Sequence, residues 1–350
     1  MAGLLLTYTS KTRFVPTILM KTQAELNALI QEGIERLTYP QSARLLYEPV
    51  RYTLATGGKR VRPMLVLIAA NLYTEDLSSA VLPALGIEMY HNSTLLHDDV
   101  MDKASERRGR PTVHIKWNEN QAILSGDAMI GLAYQYISEA PIRALKPILS
   151  TFTTMYEEIC QGQQYDMDFE TRDDVTIDEY MEMIRLKTSV LLGRALQIGA
   201  YIGQDKAYGN LSELGVKRYE RLDKDIEILY RFGECLGIAF QLQDDWLDCW
   251  GDPKTFGKKI GGDILQNKKT FLRITALKNA PEPKTEGMSE AEKIEAYKTY
   301  YKKSGAEKAC RQAITFYHQE ALKALNQVNV PAEKLKLLKD LAAKLENRSV

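Results

Sequence analysis

Two acidic clusters carry the chemistry that this sequence can offer. Asp98, Asp99 and Asp102 stand near the end of one helix-patterned stretch, and Asp244, Asp245 and Asp248 near the end of another, each as D-D-x-x-D. A spacing of four sets Asp98 and Asp102 on one helix face, and Asp244 and Asp248 likewise, so two carboxylates can aim at one place. Hard divalent cations prefer such oxygens, and Mg²⁺ takes one or two carboxylates together with water and substrate phosphate. One motif alone could equally be a solvated helix end. Two, each near the negative end of an apolar helix, call for a cation on grounds of both burial and helix dipole.

The first motif continues a polar stripe, because Glu88, His91, Asp98 and Asp102 recur at helical spacing among Ile87, Met89, Leu96 and Val100. Lys187 falls on an apolar seam made by Tyr180, Met183, Ile184, Leu191 and Ala195. A lysine there either snorkels to the surface or faces a phosphate. Gly57-Gly58-Lys59-Arg60-Val61-Arg62-Pro63 sets cations beside the N–H groups of a starting helix, an arrangement that favours a diphosphate. Arg107-Arg108 follows the first motif, and Lys258-Lys259 and Lys268-Lys269 follow the second in loops able to close as a lid. Acids for cations and bases for oxyanions, set around an apolar interior, suit a ligand with a charged head and a hydrocarbon tail.

The elements that must position these groups are helical. Periodicity near 3.6 predicts helices over about 23–37, 42–55, 61–73, 78–103, 118–138, 143–169, 176–203, 217–250 and 305–327, with a shorter one after Pro331. Thr176 and Glu179 form a capping box at one start. Strand signals are nearly absent, so the expectation is one all-α domain over residues 1–350. Residues 279–304 are expected to be a polar surface insertion, with Asn279 to Gly287 an exposed loop. Equal counts of acidic and basic residues, 46 each, provide no global field for nucleic acid or an anionic membrane. The apolar runs are too short to span a bilayer, and the N-terminus lacks a basic leader pattern. Cys160, Cys235, Cys249 and Cys310 show no metal-type spacing. A soluble, cytoplasmic protein is expected.

These motifs closely resemble the trans-isoprenyl diphosphate synthases. The resemblance rests on Gly57-Gly58-Lys59-x-x-Arg62-Pro63, on Asp98-Asp99-x-x-Asp102 followed by Arg107-Arg108-Gly109, on Gly162-Gln163-x-x-Asp166 and on Lys187-Thr188. It continues through Gln241-Leu242-x-Asp244-Asp245-x-x-Asp248, Gly251-Asp252-Pro253, Gly257-Lys258 and Asn267-Lys268, and it is strongest over 45–269. It implies a single-domain helical bundle around a deep central cavity, in a homodimer. It implies isopentenyl diphosphate and an allylic diphosphate as substrates, with three Mg²⁺ ions when substrate is bound. Asp98, Asp102 and Asp244 would hold the metal, with Asp99, Asp245, Asp248, Gln163 and Asp166 in support. Arg107, Lys187 and Lys258 would bind the allylic diphosphate, and Lys268 is a further substrate-binding candidate. Lys59, Arg62, His91 and Arg108 would bind the isopentenyl diphosphate. Thr188 and Gln241 would shield the allylic cation.

Product length should depend on the residues one and two turns before the first motif. Ser93 and Thr94 are small and the motif has no insertion, whereas farnesyl-forming relatives usually carry an aromatic residue or an insertion there. Tyr90, four residues before Thr94, is the expected floor, and geranylgeranyl diphosphate the expected product. Longer polyprenyl or farnesyl products remain alternatives. A class I terpene cyclase would have no use for Lys59 and Arg62, and a non-catalytic partner subunit usually has degraded aspartate motifs.

Overall fold

The computed structural model describes residues 19–209, 216–252 and 260–346. The chain folds as a helical bundle: α1 (Gln23–Glu35), α2 (Arg44–Ala55), α3 (Val61–Asn71), α4 (Ser78–Met101), α5 (Val113–Lys116), α6 (Glu119–Ser138) and α7 (Ile142–Thr171) come first. Then follow α8 (Ile177–Ile184), a π-helical turn (Arg185–Ser189), α9 (Val190–Tyr208) and α10 (Val216–Trp250). The last are α11 (Gly262–Leu265), α12 (Phe271–Asn279), α13 (Glu290–Lys303), α14 (Ala306–Leu325), a 3₁₀ turn (Ala332–Leu335) and α15 (Lys336–Glu346). Among the described residues, the only strands are Glu106–Arg107 and Arg110–Pro111, an antiparallel hairpin just after α4.

The helices that carry the motifs lie in the middle because little of their surface is polar. α3 is buried from Pro63 to Asn71, and α4 buries both apolar residues and Glu88, Asn92 and Asp99. A helix apolar around most of its circumference must be covered on every side. The main core runs from α1 to α15 and includes Leu65, Ile87, Phe152, Leu196 and Phe232. A second core, with Tyr180, Trp246, Leu247, Phe271 and Tyr301, gathers α8, α12, α13 and α14 around the end of α10.

The expected helices are present with small shifts at their ends, and the Thr176–Glu179 capping box forms. Two differences bear on function. The stretch expected as one helix over 176–203 is interrupted by the π-helical turn at Arg185–Ser189. Beyond the expected loop, the polar 279–304 insertion holds a helix that the periodicity did not predict: residues 290–303 form α13, started by a Ser289–Glu292 capping box and burying Tyr297, Tyr300 and Tyr301. Its many lysines and glutamates face water, and they obscured the tyrosine stripe in the sequence pattern.

Candidate active site

The last turns of α4 and α10, the π-helical turn and the loop after α11 surround one polar chamber of about 590 Å³. Asp102, Asp166, Lys187, Asp245, Asp263 and Lys268 line it. A second chamber of about 430 Å³ runs along α4 between Asp98 and Tyr90, with Leu191 and Phe240 among its walls. The two adjoin at Met101, Lys187, Thr188 and Gln241.

The π-helical turn sets this junction. A Cβ on Gly162 of α7 would lie 2.3 Å from the Lys187 nitrogen, and one on Gly237 of α10 would lie 2.6 Å from the Ser189 Cα. Two glycines therefore let backbones close on the turn from both sides, and the extra residue of a π-bulge re-aims the side chains there. Lys187 Nζ reaches Asp166 at 2.5 Å, and Thr188 donates to Gln241 Oε1 at 3.3 Å. Gln241 in turn donates to Asp245 at 3.4 Å, and Tyr180 donates to the other Asp245 oxygen.

The acids are crowded. Burial pushes Asp98 up to about 6, an effect that Lys187 opposes and Asp102 adds to. Burial and the charge of Asp263 push Asp245 up to about 8. Asp99 turns away from the chambers to Arg107, which holds it at 2.7 and 2.8 Å. Asp248 accepts from the Gly262 and Asp263 N–H groups, both at 3.1 Å, so it organises the start of α11. Asp245, read from the sequence as a support, lines the polar chamber. Asp244 is half-buried and is not among the residues lining either chamber. Gln163 sits on the wall of the second chamber against Met101.

The basic side lies at the start of α3. Arg60 takes a left-handed backbone conformation, pairs with buried Glu88 at 2.5 Å and donates to the Leu54 carbonyl. Arg108 donates to the Gly57 carbonyl, which brings the two arginine segments together. Arg62 Nε is buried without a hydrogen-bond partner, and burial lowers the guanidinium to about 10 although Glu88 supports its charge. Burial and then Arg62 and Arg108 hold His91 well below the usual imidazole value. Lys59 is exposed at the rim. Lys258 lies outside the described residues.

Lys268 points into the polar chamber. Burial works against its ammonium, yet Asp263, Asp166, Asp102 and Asp245 outweigh it and raise its pKa. Sequence reasoning missed Asp263, Lys103 and Tyr180. Asp263 stands directly after Gly261-Gly262, a position that pattern alone marks only as loop. Among the described residues, no three carboxylate, imidazole or thiol side chains converge closely enough to hold a cation by themselves. The acids lining the polar chamber, Asp102, Asp166, Glu170, Asp263 and the buried Asp245, nevertheless fit a cation that shares them with phosphate oxygens.

A family model described as Polyprenyl synthetase matches residues 43–316. The chain is similar to a geranylgeranyl diphosphate synthase of Methanosarcina mazei, with 37% identity over 75% of this chain and 76% of that protein. A geranylgeranyl pyrophosphate synthase of Geoglobus acetivorans is 39% identical over 76% of this chain and 79% of its own length. A crystal structure of a geranylgeranyl pyrophosphate synthase superposes with a TM-score of 0.84 at 40% identity, covering 95% of this chain and all of the other (100%).

Proposed function

The chain belongs to the polyprenyl synthetase family, and from that premise we propose that it is a Mg²⁺-dependent geranylgeranyl diphosphate synthase, adding isopentenyl diphosphate to an allylic diphosphate. The observation that carries the reading is the junction at Lys187, Thr188 and Gln241, where a chamber of acids and lysines meets one that runs to Tyr90. A diphosphate head and an isoprenoid tail match these two environments.

On the family resemblance Asp98, Asp102 and Asp244 would hold the metal, although Asp244 lines neither chamber here, and bound Mg²⁺ would supply charge for the departing pyrophosphate. Lys187 and Lys268 bind the allylic diphosphate beside those acids, and Arg107, held by Asp99, adds its charge to theirs. Fixed donors of this kind stabilise charge as it develops on the leaving oxygens. Arg62, Arg108 and Lys59 hold the second diphosphate, with His91 as a neutral donor among them. Oxygens of Thr188 and Gln241 face the allylic carbon, and the walls at Leu191 and Phe240 keep water from the cation. The double bond of isopentenyl diphosphate attacks, and the proton is lost to the released pyrophosphate. No protein nucleophile takes part.

Tyr90 ends the tail chamber. It is 1% exposed and packs edge-on against Phe152 and Tyr156, at 5.5 and 5.6 Å between ring centres. Ser93 and Thr94 turn their hydroxyls back to the carbonyls of Tyr90 and His91, which leaves room for hydrocarbon. The names of the two archaeal relatives support the same product. A homodimer and a cytoplasmic location complete the proposal on the family resemblance; among the described residues no helix is long and apolar enough to cross a membrane. The test is incubation with Mg²⁺, isopentenyl diphosphate and farnesyl diphosphate, followed by mass spectrometry. A single twenty-carbon diphosphate is expected. Longer products would displace the chain-length reading, and no product from any allylic primer would displace the synthase reading.

A further inference from the structure

Arg273 is an odd residue for its place. It lies on α12 between Leu272 and Ile274, in the second core, and is 7% exposed. A guanidinium there costs stability unless its donors are engaged, and an aliphatic residue would fill the space without that cost. Both terminal nitrogens are engaged while Nε is buried without a partner: Nη1 reaches the Asn267 carbonyl at 2.8 Å and also the Asn267 side-chain oxygen. Nη2 lies 2.9 Å from Glu282, in the loop before α13. Asn267 has a φ of 60°, a left-handed conformation that is uncommon outside glycine and that asparagine tolerates better than most residues. The next residue, Lys268, closes the turn through its N–H to the Asp263 carbonyl at 2.9 Å and sends its side chain into the polar chamber.

We propose that Arg273, backed by Glu282, is a positioning residue: it holds Asn267 in the left-handed turn and thereby aims Lys268 at the diphosphate. A planar fork suits this task, because one guanidinium grips a backbone carbonyl and a side-chain amide together while pairing with a carboxylate. The arrangement also assigns work to the polar segment after α12. Glu282 comes from its loop, the Tyr297 hydroxyl of α13 meets Glu282, and Ile294 of α13 sits over Gly261 at the other end of the same turn region. The segment is thus a brace behind the second aspartate motif.

The inference rests on the reading of Lys268 as a diphosphate ligand, so the experiment separates the two. Inorganic pyrophosphate with Mg²⁺ is titrated calorimetrically into the full-length native protein, R273M, E282Q, K268A and the doubles R273M/K268A and E282Q/K268A. Unfolding temperatures are measured alongside. K268A should weaken binding about tenfold or more; R273M should do nearly the same in the native background, and E282Q about threefold. Neither should weaken it further once Lys268 is gone, since groups acting through one contact are not additive. Equal losses with and without Lys268 would overturn the positioning role and leave Arg273 a structural residue. A K268A protein that binds pyrophosphate as tightly as the native chain would overturn the Lys268 reading itself. E282Q, at a half-exposed site, serves the same test if R273M does not fold.

Discussion

At the scale of single residues, the charged groups divide into those that act on a ligand and those that hold others in place. Lys187 is 26% exposed and paired with an equally exposed Asp166 at the edge of the chamber, so its removal should cost little stability. On the proposed function this lysine stands beside the leaving oxygens, and its loss should cost about 100-fold in kcat, as for one fixed donor to a developing anion. Steady-state kinetics and thermal unfolding of K187A check both. Away from the site, buried Asp225 accepts from the Asn329 N–H at 2.9 Å, while its second oxygen, the Tyr73 hydroxyl and the Gln204 side-chain oxygen lie together without a well-formed hydrogen bond. Burial raises the Asp225 carboxyl above its unfolded value. A raised carboxyl favours the fold below the unfolded pKa and loses that contribution as pH rises through the folded one. Asp225→Asn keeps the acceptor and adds a donor, so it should raise stability by about 1 kcal/mol at pH 8, and less toward pH 4. Denaturant melts across that range measure it; a benefit that grows as pH falls would contradict the assignment.

The elements explain what the sequence pattern could and could not convey. Periodicity identified the long helices because their apolar seams are continuous, and the two aspartate motifs stood out because acids interrupted those seams. The π-helical turn was not legible: its cause is the approach of Gly162 and Gly237, on helices that precede and follow it at a distance in the chain. Lys187 was marked as misplaced on its seam, and the bulge is the reason it faces the chamber. α13 was legible in principle through Ser289-x-x-Glu292, but its charged residues outnumber its three buried tyrosines. The pairing of Arg273 with Asn267 needed the fold, since a lone arginine after a Lys-Lys pair reads as more surface charge. The glycine contacts give a sharp expectation. In G162A the new Cβ would press on the Lys187 backbone at 2.3 Å rather than on a movable side-chain tip, so the turn must shift. Stability should fall by about 1–3 kcal/mol, the range for overpacking. Activity should fall further than that loss explains in the fraction still folded, and kinetics well below the unfolding temperature distinguish the two effects.

Across the whole molecule, product length is a property of how the bundle closes the tail chamber. α4 supplies Tyr90, and α7 supplies the Phe152 and Tyr156 rings that hold it. α6 adds Tyr134, which packs edge-on against Phe152 at 4.8 Å and lies 3.2 Å from the Thr153 hydroxyl. On the proposed reading the floor is a cluster of edge-on rings from three helices, with Tyr90 as the layer that would stop a twenty-carbon chain. Tyr90→Ala removes that layer and leaves Phe152 beneath it. The product should lengthen by about one isoprene unit, with a minor fraction beyond, because the stack now begins one ring deeper. Y90A/F152A should remove the second layer and broaden the distribution to still longer chains, at a cost of about 3–5 kcal/mol per buried aromatic lost. Mass spectrometry of the products from farnesyl diphosphate reads this directly. Lengthening in the double but not in the single variant would move the floor from Tyr90 to Phe152, whereas an unchanged product in both would mean that the tail grows along a different path through the bundle.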